Sequence, residues 1–190
     1  MSVALQIHYI SVEEYLSGEQ LSDVKHEYIA GQVYAMAGAS WWHSRIAIKL
    51  ASKLESHLDG KPCTPFVGDM KVRMRIRQQD LFYYPDIVVT CDPRDTGGNF
   101  LSHPRLVIEV LSESTERLDR TEKMTNYLTL TSLDEYVLVA QDKPEVTIFR
   151  RRTEWTAEVY HGLEAVIHLE TVDYHLTLAV LFQGLLPASG

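Results

Sequence analysis

Two short apolar runs, each interrupted by a single acid, constrain this chain more than anything else in it. The first reads Tyr84-Pro85-Asp86-Ile87-Val88-Val89; the second reads Pro104-Arg105-Leu106-Val107-Ile108-Glu109-Val110-Leu111. Runs of Val, Ile and Leu bounded by turn formers read as buried strands, and the second is apolar enough to lie centrally in a sheet. A carboxylate inside such a run costs several kcal/mol to desolvate unless it is neutralised, paired or bound to a cation. Two of them on neighbouring strands repel at short range, so the pair calls for positive charge. A divalent metal with a nearby ammonium meets that need, and Lys123 in the following polar stretch supplies the ammonium.

The rest of the chain bounds what such a site can belong to. Its 190 residues suffice for one domain with a substantial core, and 45% apolar with 23% charged residues is ordinary globular composition. A formal charge of −8 argues against a broad basic surface that wraps nucleic acid, although bound metal can offset acids locally. Cys63 and Cys91 show no CxxC or metal-ligand spacing, and two cysteines suit a reducing compartment. The first eight residues, Met1 to His8, carry no basic segment leading into an apolar one, so no signal peptide is expected. The greasy stretch from Leu176 to Leu186 is too short to span a bilayer. A cytoplasmic protein without membrane association is the expectation.

Local patterns then place the elements. Ser11 and Glu14 form a capping box that opens a short helix through Leu16, ended by Ser17-Gly18. Residues 24–29 and 32–36 flank Ala30-Gly31 as a hairpin, with Glu27 on its first strand. Ile46, Leu50, Leu54 and Leu58 recur every four residues in a helix over residues 41–58. Met70 to Ile76 alternates apolar residues with Lys71, Arg73 and Arg75, a strand with one basic face. Gln78-Gln79-Asp80 forms the next turn, and residues 92–99 a mobile loop. A polar helix runs from Ser112 to about Leu130, with Asp119, Lys123 and Tyr127 on one face. Residues 135–139 form a strand, 146–151 and 155–160 a hairpin, and 176–185 a terminal helix or turn. This mixed order predicts an α/β (α+β) architecture, a central mixed sheet flanked by helices.

Asp86 and Glu109, brought to the same end of the sheet, would share one Mg²⁺ or Mn²⁺, hard ions that favour oxygen ligands. The backbone carbonyl of Val110 is a further ligand, Lys123 the group that orients water and stabilises phosphoryl charge, and Glu27 an added acid. Pro85-Asp86, Glu109-Val110-Leu111 and Lys123 resemble the PD-(D/E)XK nuclease motif, with the lysine displaced onto the next helix. More closely, the chain resembles the Uma family, a large bacterial family of restriction-endonuclease-like proteins. The matching pieces are Glu27-Tyr28-Ile29-Ala30-Gly31, His43, Tyr84-Pro85-Asp86, Glu109-Val110-Leu111-Ser112, Asp119, Lys123, Tyr127 and Glu135-Tyr136. The resemblance implies a restriction-endonuclease-like fold over residues 1–190 as a single domain, with an N-terminal helix and hairpin at about 11–37. It implies a metal-dependent site with Asp86 and Glu109 as metal ligands, Lys123 as catalytic lysine and Glu27 as auxiliary acid. Leu111 stands where the general motif has lysine, so the role of Lys123 follows from its position.

Plainer readings compete with each residue. Asp86 caps a strand, Glu109 pairs with Lys123 or Arg105, Lys123 is a solvated helix lysine, and Glu27 is exposed. His43 caps or packs at a helix start beside Trp41 and Trp42, with a role at the edge of the site as the alternative. His161, His168 and His175 are seven apart without a zinc motif and are set aside. Arg73, Arg75 and Arg77 form a solvated strand face, and Arg150-Arg151-Arg152 a hairpin-end cluster. Three functions follow: a Mg²⁺-dependent endonuclease acting on DNA, a binding or scaffolding protein that keeps the nuclease fold without turnover, and a hydrolase of small phosphoesters. The expected assembly is a homodimer.

Overall fold

The computed structural model describes residues 9–113 and 115–185. The segment read as lacking a signal peptide lies outside them, as does Ser114. In chain order the elements are α1 (Val12–Glu19), β1 (His26–Ile29), β2 (Gln32–Ala35), α2 (Trp41–Leu58), β3 (Thr64–Val67), β4 (Lys71–Ile76) and β5 (Gln79–Tyr83). There follow β6 (Ile87–Thr90), β7 (Phe100–Leu101), β8 (Pro104–Leu111), α3 (Glu116–Leu118), a π-helical turn (Asp119–Lys123) and α4 (Met124–Tyr127). The chain closes with β9 (Glu135–Ala140), β10 (Glu145–Arg150), β11 (Ala157–His161), β12 (Val166–Leu169), β13 (Tyr174–Thr177) and α5 (Leu178–Phe182).

Two sheets organise these elements. One has the order β2-β1-β5-β4-β7 and the other β11-β10-β9-β8-β6-β3, with β12-β13 as a separate pair. The larger sheet is mixed: β8 runs parallel to β9 and antiparallel to β6. Successive strand residues face opposite sides, and the cores follow that rule. Leu106, Ile108 and Val110 join Ile46, Leu50 and Leu54 of α2, whereas Val107 and Leu111 join Val72, Met74 and Leu81 of the smaller sheet. Glu109 shares the parity of Val107 and Leu111, so its carboxylate enters the layer between the sheets.

The helix over 41–58 has the expected bounds, because its four-residue apolar stripe supplies the buried face against the sheet. The capping box at Ser11 is formed, and α1 runs past Ser17-Gly18 to Glu19. Other details depart from the sequence reading. The turn before β5 falls at Arg77 and Gln78, whose φ angles are 49° and 67°, so Gln79 and Asp80 already belong to the strand. Lys71 is buried against the Tyr84 hydroxyl at 3.0 Å and Arg73 pairs with Asp80 at 2.8 Å, so the basic face of β4 is partly consumed by internal partners. The 92–99 loop is pinned by Asp95, which accepts the amides of Ser102 and His103 at 2.9 and 2.8 Å.

Cys63 and Cys91 extend the β3–β6 register beyond Thr64 and Thr90 and are joined by a disulfide. The spacing rule tested short metal motifs and was blind to strands that meet across 28 residues. Disulfides persist where the surroundings are oxidising, so the cysteines lend no support to a reducing compartment. Among the described residues, no helix is long and apolar enough to cross a membrane.

Candidate active site

The register of β6 with β8 builds the site. Ile87 faces Ile108 and Val88 faces Val107, so one step back along β6 sets Asp86 opposite Glu109. Pro85 carries no amide proton and breaks the chain between β5 and β6, leaving Asp86 at the mouth of the strand rather than within it. The Asp86 amide donates to Glu109 Oε2 at 3.2 Å, and Asp86 Oδ2 accepts the Val110 amide at 2.6 Å. Two carboxylates are thereby held side by side through backbone donors.

Three more elements converge on them. Glu27 comes from β1, His43 from the first turn of α2, and Asp119 and Lys123 from the π-helical turn. Lys123 Nζ lies 2.7 Å from Glu27 Oε1, 3.6 Å from Asp119 Oδ1 and 3.8 Å from Glu109 Oε1. The Tyr83 ring supports the same ammonium, with its centroid 5.5 Å away. The expected helix is interrupted here. A π turn adds a residue to the helical repeat, a feature found often at functional sites, and it keeps Asp119 and Lys123 both inward. The Tyr136 hydroxyl fixes that turn by donating to the Asp119 carbonyl at 2.9 Å.

His43 Nε2 lies 2.8 Å from Asp86 Oδ1. Burial alone would lower the proton affinity of this imidazole. The hydrogen bond and charge of Asp86, together with Asp119 and the Val110 carbonyl, outweigh burial and raise its pKa above the ordinary value. Val110 meets the site through its amide, which donates to Asp86.

Three carboxylates face one lysine, with Asp86 beside Glu109, and the electrostatics reflect it. Burial first, and then Asp86, Asp119 and Glu27, push the Glu109 carboxyl well above its usual range, against the opposing pull of Lys123. Burial also raises Asp119, partly offset by Lys123. For Lys123, burial opposes the charged form, but Glu109, Glu27 and Asp119 overcome it and hold the ammonium protonated. Even so, Glu109 Oε1 and Asp119 Oδ1 are buried without a hydrogen-bond donor. Buried carboxylate oxygens without donors are the chemistry that a hard divalent cation satisfies, so these residue types fit Mg²⁺ or Mn²⁺. The cleft above them has a volume of about 430 Å³ and is lined by buried Tyr84 and, on the exposed side, by Lys25, Gly38 and Ala39.

Of the residues singled out in the sequence, the structure brings Asp86, Glu109, Val110, Lys123 and Glu27 together. Glu27 is neither exposed nor idle, since the β1–β5 pairing carries it beneath the lysine. Two further residues belong to the cluster and were left outside the acid–lysine set. Asp119 is read in the sequence as sharing a helix face with Lys123 and as one of the family's matching residues, with no role in the site. The amide of His43 caps against Ser40 Oγ at 3.1 Å, as a plain capping reading expects, while its ring turns into the site. Ser40 in turn donates to Gln141 at 2.6 Å, tying the start of α2 to the end of β9.

A mixed sheet with helices on its flank and acids converging at one strand end defines a protein of the restriction-endonuclease-like class. A crystal structure from Anabaena variabilis, described as a "putative nuclease belonging to DUF820", superimposes with a TM-score of 0.77 over 93% of this chain and 99% of that one, at 22% identity. Residues 12–181 match the Uma2 family, whose description is "putative restriction endonuclease", and the chain belongs to that family. Two relatives come from Synechocystis. The uncharacterized protein slr1290 is 35% identical over 93% of both chains, and the uncharacterized protein sll1609 is 32% identical over 74% of this chain and 80% of its own.

Proposed function

We propose that the protein is a Mg²⁺- or Mn²⁺-dependent endonuclease that hydrolyses phosphodiester bonds of DNA. The observation that carries this reading is the lock between Asp86 and Glu109 beside an ammonium, with Glu109 Oε1 buried and lacking a donor. Asp86 and Glu109 would hold the ion, with the Val110 carbonyl beside them. When bound, it would supply Lewis-acid stabilisation of charge on a phosphoryl oxygen.

The protein's own groups do the rest. The Val110 amide and His43 fix the Asp86 carboxylate in one orientation. Glu27 and Asp119 aim the Lys123 ammonium into the cleft, where it orients the attacking water and stabilises charge that develops on phosphorus-bound oxygen. Water adds its oxygen to phosphorus as the bond to the leaving oxygen breaks, and the leaving alcohol takes up a proton. Trp41 and Trp42, 59% and 40% exposed in the first turn of α2 beside His43, offer aromatic faces on which unpaired bases can stack. That favours a polynucleotide over a small phosphoester. A homodimer would present two such sites to the two strands of a duplex.

The test is plasmid cleavage by purified protein with Mg²⁺ or Mn²⁺, set against Asp86→Ala. Cleavage by the wild type alone supports the reading; equal cleavage by both proteins, or by neither, removes it. A scaffolding role finds support in the same ion pairs, because Lys123 already has three acids to satisfy it. It predicts that Asp86→Ala binds DNA as the wild type does while neither cleaves.

A further inference from the structure

Away from the acid cleft, β12 and β13 pair antiparallel with His168 directly across from His175. Ile167, Leu169 and Leu176 are buried in the core, so the alternation of the hairpin turns both imidazoles outward on one face. The rings lie 3.9 Å apart and nearly parallel, at 8°. Between the strands, a 3₁₀ turn over Glu170–Val172 ends at Asp173, whose left-handed φ of 49° swings its carboxylate back over the pair. Asp173 Oδ1 reaches 3.1 Å from His168 Nε2. The three ligand atoms lie within 4.8 Å of one another, so modest side-chain rotation brings all of them to about 2.0–2.2 Å from one ion. His161, seven residues earlier, is not part of this group and pairs with Glu145 instead.

We propose that His168, His175 and Asp173 form a second metal site, one that takes a borderline transition ion such as Zn²⁺. Two imidazoles select for such an ion over Mg²⁺, which prefers oxygen alone. The site has three protein ligands and an outer position open to solvent, since Asp173 is 90% exposed. The backbone beneath it is held rigid, because the buried Arg150 guanidinium donates to the His168 carbonyl at 2.6 Å. A bound ion would clasp the β12–β13 hairpin closed over the core and stabilise the folded chain by mass action. Sequence spacing pointed away from this group because its geometry comes from strand pairing rather than from a helical or finger motif.

The test is calorimetric titration of ZnCl₂ into the full chain, in an Asp86→Ala, Glu109→Gln background that weakens competition from the acid cleft. The expected result is one equivalent of Zn²⁺ bound and a raised thermal midpoint, with no such response to MgCl₂. Adding His175→Ala weakens the binding by more than about tenfold and abolishes the shift, because even outer partners of a metal site are worth that much. His175 is exposed, so the variant folds, and circular dichroism without metal confirms it. Equal Zn²⁺ binding with and without His175→Ala, or no equivalent bound in the acid-cleft background, overturns the proposal. Neither result bears on the nuclease reading.

Discussion

Two clusters of buried charge in the molecule are built differently. Around Arg150, a 2% exposed guanidinium donates to Glu135 at 2.9 Å, to Glu158, and to the His168 carbonyl at 2.6 Å, while the second oxygen of Glu135 accepts the Thr171 amide at 2.7 Å. Glu158 Oε1 and Thr171 Oγ1 are the oxygens of that group left buried without a partner. In the acid cleft the balance is reversed. Three carboxylates share Lys123, with Asp86 alongside, and the oxygens of Glu109 and Asp119 that face the lysine stand beyond hydrogen-bond reach at 3.8 and 3.6 Å. A buried charge cluster with its donors matched to its acceptors holds a fold together. One with surplus acceptors is poised to take a cation.

The difference can be broken or sharpened by substitution. The largest effect is on chemistry: Asp86→Ala lowers plasmid cleavage by about a thousandfold or more, the loss of several kcal/mol of transition-state stabilisation. Lys123→Met follows, with cleavage reduced about 10²–10³-fold through loss of the ammonium. Arg150→Met acts on stability instead. Stranding Glu135 in the core costs about 3–5 kcal/mol, read as a thermal midpoint lowered by about 10 °C or more in a chain of this size. The same logic applied to the cleft gives the smallest change and the opposite sign: without metal, Glu109→Gln is neutral or stabilising by about 1 kcal/mol. If Glu109→Gln unfolds the protein as readily as Arg150→Met does, the two clusters are alike and the contrast fails.

That last comparison has a pH dependence with a definite sign. The folded protein raises the Glu109 pKa above its ordinary 4.5, so it holds this proton more tightly than the unfolded chain does. The contribution to stability is full below the unfolded value and is lost as pH rises through the folded one. Wild type and Glu109→Gln should therefore unfold at similar temperatures near pH 4.5. In metal-free buffer the wild type should fall behind as pH rises above that value.

Much of this was legible from local pattern. The α2 stripe and the β8 run announced themselves because burial imposes periods of about 3.6 and two on neighbouring residues. Asp86 and Glu109 stood out because acids rarely interrupt such runs. What escaped depends on contacts far apart in the chain. β3 carries Pro65 as its second residue, a poor strand former, and exists because β6 offers it a ladder. The Cys63–Cys91 bond and the His168–His175 pair are likewise products of register and packing, and the inward turn of His43, an open alternative in the sequence, is decided by the same packing. Asp119 was placed on the correct helix face, but its approach to Glu109 runs through a π turn that no spacing rule anticipates.

The central claim is that the surplus carboxylates of the cleft bind a divalent cation, and calorimetric titration of Mg²⁺ into the metal-free protein tests it directly. The account predicts one equivalent bound by the wild type and none by Asp86→Ala. Equal heats from the two proteins, or no binding by the wild type, would contradict it.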